Sequence, residues 1–541
     1  MEDETSYLDV VRQLLRRLVS AISVRRRKQL LQMGLGTLIL ITAVLCLSNE
    51  RKGDTVLPTV AESPVGIRLR FGTSDKNNHS PKLMVQFSTV STGTPVAMIG
   101  TSNPPKTKVT GTSTAAYTAT DMCGAPANET SPDISSSAME GGMLHTVEFS
   151  LSESNQLYYY KVGLASGQGI LWSDISSFTS PPVAPADDSS FSFIVYGDQG
   201  VTEGADRVLN QISQEIRSSA EDENNNPVRF VHIVGGLSYA KGVGHLWKDW
   251  LAKLSSSFAS KVPLMVGVGA PEYDHVAGGA NGKDPSGVET SDGFHPKWGN
   301  FGDDSGGECG VPVSRLFPKL QPPSSDADDA DGFTKETRIS AAETENDNAP
   351  FWYSYEVESV HMTVISSEHD LSIGSSQYSW LEQDLKQVNR TSTPWLILST
   401  YRPLYNGFLD FENNDVGIGM RMEIEDLLRE YDVDLVLSGR YRSYHRTCDG
   451  LHSSVCDRGG PTHVTVGTGG VGLTENVQLY PNMWSKKSIP NQYGYGLVTV
   501  SNSSALSFQF ISVGPNTSSG DGNGEPTRTV QDEVWIHRNR M

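Results

Sequence analysis

At 541 residues the chain is longer than one ordinary domain, so two folded domains with accessory segments are the natural expectation. Hydrophobic residues at 37% and charged residues at 20% are typical of a globular protein and exclude a wholly disordered chain. A formal net charge of −20 at pH 7 argues against a nucleic-acid partner, because nucleic acids are bound through clustered Lys and Arg.

The N-terminal region predicts a membrane anchor. Residues 29–49 carry no charged side chain and are long enough to cross a hydrocarbon core of about 30 Å as a helix. The leader, residues 1–28, is basic and ends in the run Arg25 to Lys28, so the positive-inside rule predicts a cytosolic N-terminus and a single-pass type II protein. The alternative is a cleaved signal peptide, with Cys46 and Ser48 as small residues at cleavage-like spacing.

Everything after Glu50, beginning with a short polar stem (residues 50–63), is then expected in the secretory lumen or at the cell surface. Asn-x-Ser/Thr sequons agree with that compartment, although a Ser- and Thr-rich chain contains some by chance. Their acceptors are Asn78, Asn128, Asn389, Asn502 and Asn516.

Four cysteines lie outside the anchor, an even number that permits two disulfides in an oxidising lumen. Cys448 and Cys456 would close a short loop, which leaves Cys123 to pair with Cys309. A free buried thiol is the alternative for either pair.

Residues 64–181 alternate β-rich runs such as KLMVQFSTV and LYYYKVGL with turn residues, a pattern that favours a small β-sandwich. The proline-rich segment 180–188 is a natural boundary. Residues 189–538 then alternate buried strands with amphipathic helices, which predicts an α/β domain. Residues 321–348 interrupt it with an acidic stretch almost without apolar residues, interpreted as a disordered insert.

Several loops that follow the predicted strands carry recognisable blocks: GDQG at Asp198, GGLSY at residues 235–239, GAPE at residues 269–272, and Tyr401 before Arg402-Pro403. Longer segments accompany them, including DMCGAPAN, GGECGVP, QYSWLEQDL and DEVWI. This ordered series resembles the purple acid phosphatases, metallophosphoesterases that use iron with a second metal, namely Zn, Mn or Fe. The resemblance covers nearly all of the chain after the stem. It implies a fibronectin-III-like β-sandwich followed by a metallophosphoesterase ββ sandwich flanked by helices.

The family's ligand positions are mostly substituted here. Asp198 and Tyr239 match ligands, but Gly236 stands at the bridging aspartate. Ala270 replaces the ligand asparagine, and Pro271 replaces the histidine that contacts phosphate. None of these three substitutes offers a side-chain donor to a metal.

The last two blocks are changed in the same way. Tyr401 stands at a ligand histidine, and the family's GHxH motif reads Gly-Arg-Tyr-Arg, with Arg440 and Arg442 at the histidines. The neighbours Leu237-Ser238, Glu272 and Ser443-Tyr444 still match, so a misalignment does not explain the losses. Because arginine stays protonated, we expect no bound metal cofactor and a catalytically inactive, membrane-anchored protein that acts by binding or scaffolding.

Two alternatives keep an enzyme: an acid phosphatase with a non-standard site, and a metal-free acid–base pair drawn from His275 and His445. A third makes the basic leader the functional part, at an anionic membrane surface. As a binder, the cleft suits an anionic ligand or an acidic partner segment held by Arg440, Arg442 and His445. The competing hypothesis is that an arginine pairs with Asp198 while Tyr239 and Tyr401 fill the vacated volume. The partner itself is not identified, and a homodimer or pairing with an active relative is compatible with the resemblance.

Overall fold

The computed structural model describes the protein from residue 63 onward, and all described residues fall within one compact unit spanning residues 61–541. The described ranges are 63–74, 81–129, 142–149, 151, 153, 155–167, 169–181, 190–221, 226–273, 285–286, 305–318, 347–408, 411–474, 482–514 and 527–538. The predicted leader, anchor and most of the stem, almost all of the acidic insert, His275, Asn78 and Asn516 lie outside them.

The N-terminal domain is the predicted β-sandwich, made of two antiparallel sheets. One sheet has the order β1-β2-β6-β5, and the other has the order β4-β3-β7-β8 with β9 also pairing with β7. Phe149, Tyr160 and Phe178 pack ring on ring between the sheets, because alternate residues of each strand point inward. The strands are β1 Val65–Ser74, β2 Pro81–Thr89, β3 Thr94–Gly100, β4 Thr107–Thr110, β5 Thr112–Ala115, β6 Met143–Phe149, β7 Leu157–Ser166, β8 Gly169–Trp172 and β9 Ser176–Thr179.

The second domain also contains two sheets, of six and seven strands, in the orders β12-β11-β10-β22-β23-β24 and β13-β14-β15-β16-β20-β17-β21. A two-stranded sheet pairs β18 with β19. The α/β class is therefore confirmed. The strands are β10 Phe191–Tyr196, β11 Val228–Ile233, β12 Leu264–Val266, β13 Tyr353–Val357, β14 Val360–Val364, β15 Trp395–Thr400, β16 Leu435–Ser438, β17 Tyr444–Thr447, β18 Gly450–His452, β19 Val455–Gly460, β20 Thr462–Val466, β21 Ser485–Ile489, β22 Gly494–Val500, β23 Ala505–Val513 and β24 Arg528–His537.

The helices cover the sheets with one apolar face each. In the first, the buried residues Val208, Ile212 and Ile216 recur every four positions, the spacing of a helical stripe that packs on a core. None of the helices in the described ranges is long and apolar enough to cross a membrane. The helices are α1 Glu203–Glu221, α2 Gly244–Leu254, α3 Val311–Leu316, α4 Ser376–Gln387 and α5 Phe411–Glu430, with a 3₁₀ turn at Ala119–Asp121 and a π turn at Ser255–Ala259.

Parallel pairing brings the functional loops together. Strands β10, β11 and β12 run parallel in one sheet, and β14, β15, β16 and β20 run parallel in the other. The carboxyl ends of parallel strands meet at one edge of a sheet, so the loops after these strands are neighbours. The five blocks that carry the family's ligand positions lie at these strand ends.

Candidate functional site: a metallophosphoesterase centre without its ligands

Five loops build the site, each starting at the carboxyl end of a strand. Asp198 follows β10, Gly236 and Tyr239 follow β11, and Ala270 follows β12. In the other sheet Tyr401 comes directly after β15, and the two arginines follow β16. The structure thus gathers Asp198, Tyr239 and Tyr401 at one point, although they are far apart in the chain.

Asp198 is the centre of the cluster and is completely buried. Its Oδ1 accepts hydrogen bonds from two phenols, Tyr239 through a short contact and Tyr401 at 3.0 Å, and the two phenol oxygens lie 3.2 Å apart. Its Oδ2 has no hydrogen-bond partner within the part of the chain that the structure describes. One oxygen of this buried carboxylate is therefore occupied by two protein donors.

Burial raises the pKa of Asp198 above its usual value, while Arg442, the Tyr239 hydroxyl and Arg440 act in the opposite direction. Burial also raises the pKa of Tyr239 well above its usual value, and Asp198 adds to that effect, so the phenol keeps its proton. A tyrosine that binds a metal does so as a phenolate. Here Tyr239 is instead a protonated donor to the carboxylate.

Gly236 stands where the bridging carboxylate is expected, with φ +67°, a backbone conformation that favours glycine. A Cβ at this position would lie 2.8 Å from Oδ1 of Asp198, so the side chain of Asp198 occupies the space beside it. The sequence matched Glu272 only as a neighbour of the site, but its buried carboxylate accepts backbone N–H bonds from Gly236, Leu237 and Gly269 at 2.7–3.0 Å. Burial raises the pKa of Glu272 to about 8, against the lowering effect of these bonds.

Tyr401 replaces a histidine and fills the middle of the site. Its side chain is fully buried, and its ring lies against the backbone of Gly235 and Gly269. Ala270 and Pro271 follow Gly269 on the same loop. Both are buried, and neither supplies a polar side-chain atom. The middle of the site is therefore filled by a phenol ring.

The two arginines are half-buried at the rim. The guanidinium carbon of Arg442 lies 5.2 Å from the centroid of the Tyr239 ring, a cation–π distance. Burial acts to lower the pKa of Arg442, but Tyr239 and Asp198 outweigh it and the pKa is raised, so the charge is secure. Both arginines act electrostatically on Asp198. The two phenols therefore contact Asp198 directly, whereas the arginines act on it through their charge.

His445 does not join this group. It is buried on β17, where Nε2 lies 3.0 Å from the Ser485 hydroxyl and the ring packs against Phe408 and Trp484. Burial, with a smaller contribution from Arg446, lowers its pKa to about 3, so the ring is neutral at physiological pH. The sequence placed His445 with the anion-binding arginines from its proximity in the chain, but the packing of β17 buries it in the core.

A buried ion pair that the sequence did not identify supports the Tyr401 loop. Arg402 donates to Glu368 from Nε at 2.7 Å and from Nη2 at 3.1 Å, and both side chains are almost completely buried. The Arg402 backbone N–H also donates to Ser367. In the sequence, only the family-like dipeptide Arg402-Pro403 pointed to this ion pair. Its partner, Glu368, lies 34 residues earlier and could not be identified from a local pattern.

The residues present do not fit a two-metal centre. Within the described ranges there is no group of three or more His, Cys, Asp or Glu side chains that could hold a metal ion. Two cations need a bridging carboxylate and several hard or imidazole ligands. The ligand positions of the five loops deliver one carboxylate, from Asp198, together with two phenols and two guanidinium groups.

Both predicted disulfides are present: Cys123–Cys309 and Cys448–Cys456. The first joins the sandwich to the second domain, where the Cys123 and Gly124 N–H groups also donate to the Gly307 carbonyl. Of the sequon residues, Asn128 and Asn389 are exposed and Asn502 is half-buried, with its Oδ1 accepting three hydrogen bonds from Ser504 and Ala505.

Comparison with known proteins agrees with this architecture. Residues 460–522 match the family model described as iron/zinc purple acid phosphatase-like protein C. "Probable inactive purple acid phosphatase 27" of Arabidopsis thaliana is 30% identical over 424 residues, covering 73% of this chain and 59% of the relative. "Probable inactive purple acid phosphatase 9" of the same plant is 29% identical over 416 residues, 73% of this chain and 58% of the relative. The chain thus spans about three fifths of the length of these relatives.

A barley (Hordeum vulgare) protein named "Nucleotide pyrophosphatase/phosphodiesterase" is 28% identical over 394 residues, covering 69% of this chain and 90% of the relative. Among solved structures, the yellow lupin (Lupinus luteus) purple acid phosphatase PPD1 shares the fold with a TM-score of 0.66 and 24% identity, covering 88% of this chain and 74% of that one. Motifs, fold and relatives agree: the chain is similar to the purple acid phosphatases over most of its length, and its C-terminal residues match that family's model.

Proposed function

We propose that this protein is a pseudophosphatase that acts by binding and does not hydrolyse phosphate esters. One observation carries the proposal: the five ligand loops of the fold converge, yet Asp198 is the only metal-type carboxylate that those ligand positions supply. The scaffold is intact, and the substitutions fall on the side chains that the chemistry needs.

The physical consequence follows from what metals do in such a site. Bound cations generate a hydroxide nucleophile at moderate pH and stabilise the charge of the transferring phosphoryl group. At the ligand positions of this chain, Asp198 is engaged by Tyr239 and Tyr401, and Arg440 and Arg442 stand where histidines would donate. A guanidinium stays protonated and repels a divalent cation.

Two Arabidopsis relatives are named probable inactive purple acid phosphatases, and these names support the same proposal. The barley relative is named as a nucleotide pyrophosphatase/phosphodiesterase, which is the name of an active hydrolase. The fold by itself does not distinguish the two, because function depends on the side chains of the site. The acid phosphatase alternative requires metals that these residues do not hold.

The ligand that we propose is an anion or an acidic segment of a partner protein, bound at the rim of the cleft. Arg442 Nε has no hydrogen-bond partner among the residues that the structure describes, and the guanidinium is half-buried. Fixed guanidinium groups suit carboxylate and phosphate oxygens. His445 is excluded from this rim by its burial against Trp484.

The cellular setting is part of the proposal: a type II single-pass protein with residues 29–49 as its anchor and the two domains in the lumen or outside the cell. The uncharged length of that segment supports the anchor. Two disulfides and the exposed sequon residues Asn128 and Asn389 suit an oxidising, glycosylating compartment. The lumenal partner is a second copy, an active relative or another acidic protein, and co-purification would identify it.

Metal analysis of the purified protein, with an aryl-phosphate assay at acid pH, tests inactivity. We expect less than stoichiometric iron, zinc and manganese, and no turnover that a chelator abolishes. Stoichiometric metal together with chelator-sensitive turnover would overturn the proposal.

Calorimetry with inorganic phosphate and a phosphorylated peptide tests binding separately. The double variant Arg440→Ala/Arg442→Ala should lose the heat of binding. Arg446→Ala is the matched control, because Arg446 pairs with Asp532 away from the ligand positions and should leave binding unchanged. No binding by the wild type, or equal binding by both variants, contradicts the anion proposal while leaving inactivity to the metal assay.

A further inference from the structure

Strand β1 places two arginines in the contact between the sandwich and the second domain. The side chains of Arg68 and Arg70 are only 2% and 4% exposed, although both belong to a strand at the edge of its sheet. They lie on either side of one position in the sequence, so they point to the same face of β1. Their guanidinium carbons lie 5.2 and 5.3 Å from the centroid of the Phe317 ring, which follows helix α3 of the second domain.

The hydrogen bonds of these arginines go to neutral oxygens. Arg68 donates to the Gly66 carbonyl at 3.0 Å and to the Leu316 carbonyl at 2.5 Å. Arg70 makes two long contacts, 3.5 Å to the Gln86 side chain and 3.4 Å to the Pro318 carbonyl. The Nε atoms of both arginines have no partner in the described ranges of the chain.

Two positive charges are therefore buried together, and neither forms an ion pair with any residue that the structure describes. Burial lowers the pKa of Arg68 to about 9, with repulsion by Arg70 as the second cause, and burial lowers the pKa of Arg70 to about 10. Arg402 shows the usual solution, because it is equally buried but held by the carboxylate of Glu368. A buried charge without a partner is expensive, so a counter-charge is expected beside Arg70.

A small cavity lies at this place. It has a volume of about 30 Å³ and is lined by Arg70, Pro318, Tyr353 and Asp347, among others. A cavity of roughly 10–15 Å³ accommodates one water-sized particle. The cavity beside Arg70 therefore has room for one monatomic ion and little more. A phosphate or sulfate, with its four oxygens, is too large.

We infer that Arg70, with the charge of Arg68 nearby on the same face of β1, forms a site for one monatomic anion, chloride or another halide, in the cavity where β1 meets the second domain. The ion balances the paired guanidiniums and so stabilises the docking of the sandwich onto α3. This site is separate from the degraded centre and does not depend on the proposed function. Asp347 is the alternative source of negative charge, because its carboxylate lines the same cavity.

Thermal unfolding of the full-length protein in chloride, bromide and gluconate at constant ionic strength tests the inference. Chloride and bromide should raise the Tm saturably by a few degrees relative to gluconate, since a ligand that binds only the folded state stabilises it. Arg70→Gln should abolish the difference between halide and gluconate. Arg446→Gln is the matched control, because its guanidinium pairs with Asp532, and it should keep the difference.

Anomalous diffraction from bromide-soaked crystals of the wild type decides the matter even where Arg70→Gln does not fold. A bromide peak beside the Arg70 guanidinium supports the inference. Absence of both the peak and the halide-dependent Tm overturns it. So does an Asp347→Asn variant that gains halide dependence absent from the wild type, since that result makes Asp347 the native counter-charge.

Discussion

The ring of Tyr401 lies in a slot formed by glycine backbone: a Cβ on either Gly235 or Gly269 would lie 2.7 Å from its Cδ2 atom. These two glycines come from loops after β11 and β12, in the sheet opposite to the one that carries Tyr401. The tyrosine therefore joins the two halves of the site by packing, and its fully buried ring makes this part of the site core.

Gly269→Ala should destabilise the protein by about 1–3 kcal/mol, because an added methyl group overpacks a site that cannot relax. Gly269 does not have a positive φ, so the effect is steric only. Gly167→Ala is the control, since a Cβ there meets nothing within 4 Å. Urea denaturation of both variants measures the difference, and equal stabilities contradict the packing role of Tyr401.

Asp198→Asn should gain stability relative to the wild type as the pH rises. The pKa of Asp198 is raised in the folded protein, chiefly by burial, so the folded state binds the proton more tightly than the unfolded state. The contribution of this group is therefore complete at low pH, below the unfolded value of about 3.9, and is lost as the pH rises through the folded pKa. Asparagine keeps an acceptor for the phenols and removes this loss. Denaturation at pH 4.5 and pH 7.5 checks the sign.

Asp384→Asn provides a control of opposite sign. Burial acts to raise the pKa of Asp384, but His361 and neighbouring hydroxyls outweigh it and the pKa is lowered. Its contribution is present above the unfolded pKa and is lost as the pH falls, so this variant should lose more stability at pH 7.5 than at low pH. If both variants show the same pH trend, the pKa of Asp198 is not raised in the folded protein.

Removal of the disulfide Cys123–Cys309 should cost more than removal of Cys448–Cys456. The sequence separations are 186 and 8 residues. The loop-entropy relation predicts losses of about 5 and about 2.5 kcal/mol, respectively. Serine variants of each pair, compared by denaturation, measure both. A larger loss for the short loop indicates that local packing near β18 and β19 matters more than chain entropy.

The protein should lose stability in acid through buried histidines. Burial lowers the pKa of His463 to about 3, with smaller contributions from Arg421 and His445. Its contribution is complete above the unfolded pKa of about 6.5 and is lost as the pH falls toward the folded value, by about 1.4 kcal/mol per pH unit.

His463→Leu should flatten the decline in stability between pH 6.5 and pH 5, because leucine takes up no proton in either state. The same substitution at the exposed His537 is the control and should leave the slope unchanged. Chemical denaturation across this range gives the slopes. An unchanged slope in His463→Leu assigns the acid sensitivity to other groups.

Sequence alone determined much of this protein, because the signals are local. Period-two runs such as that of β7 and the helical spacing in α1 indicate their elements without distant information. The ligand losses at Gly236, Ala270, Arg440 and Arg442 are also legible in sequence, since each lies within a block whose neighbours are unchanged.

Only the tertiary structure decided how the vacated space is used. Tyr401 reaches Asp198 across 203 positions of sequence, and Glu272 takes two of its three N–H bonds from a loop more than 30 residues away, contacts that no local pattern encodes. It also removed His445 from the site and revealed Arg68 and Arg70 as a buried pair. Burial and partnership are properties of the packed chain, because they depend on which strands meet and which faces they turn to each other.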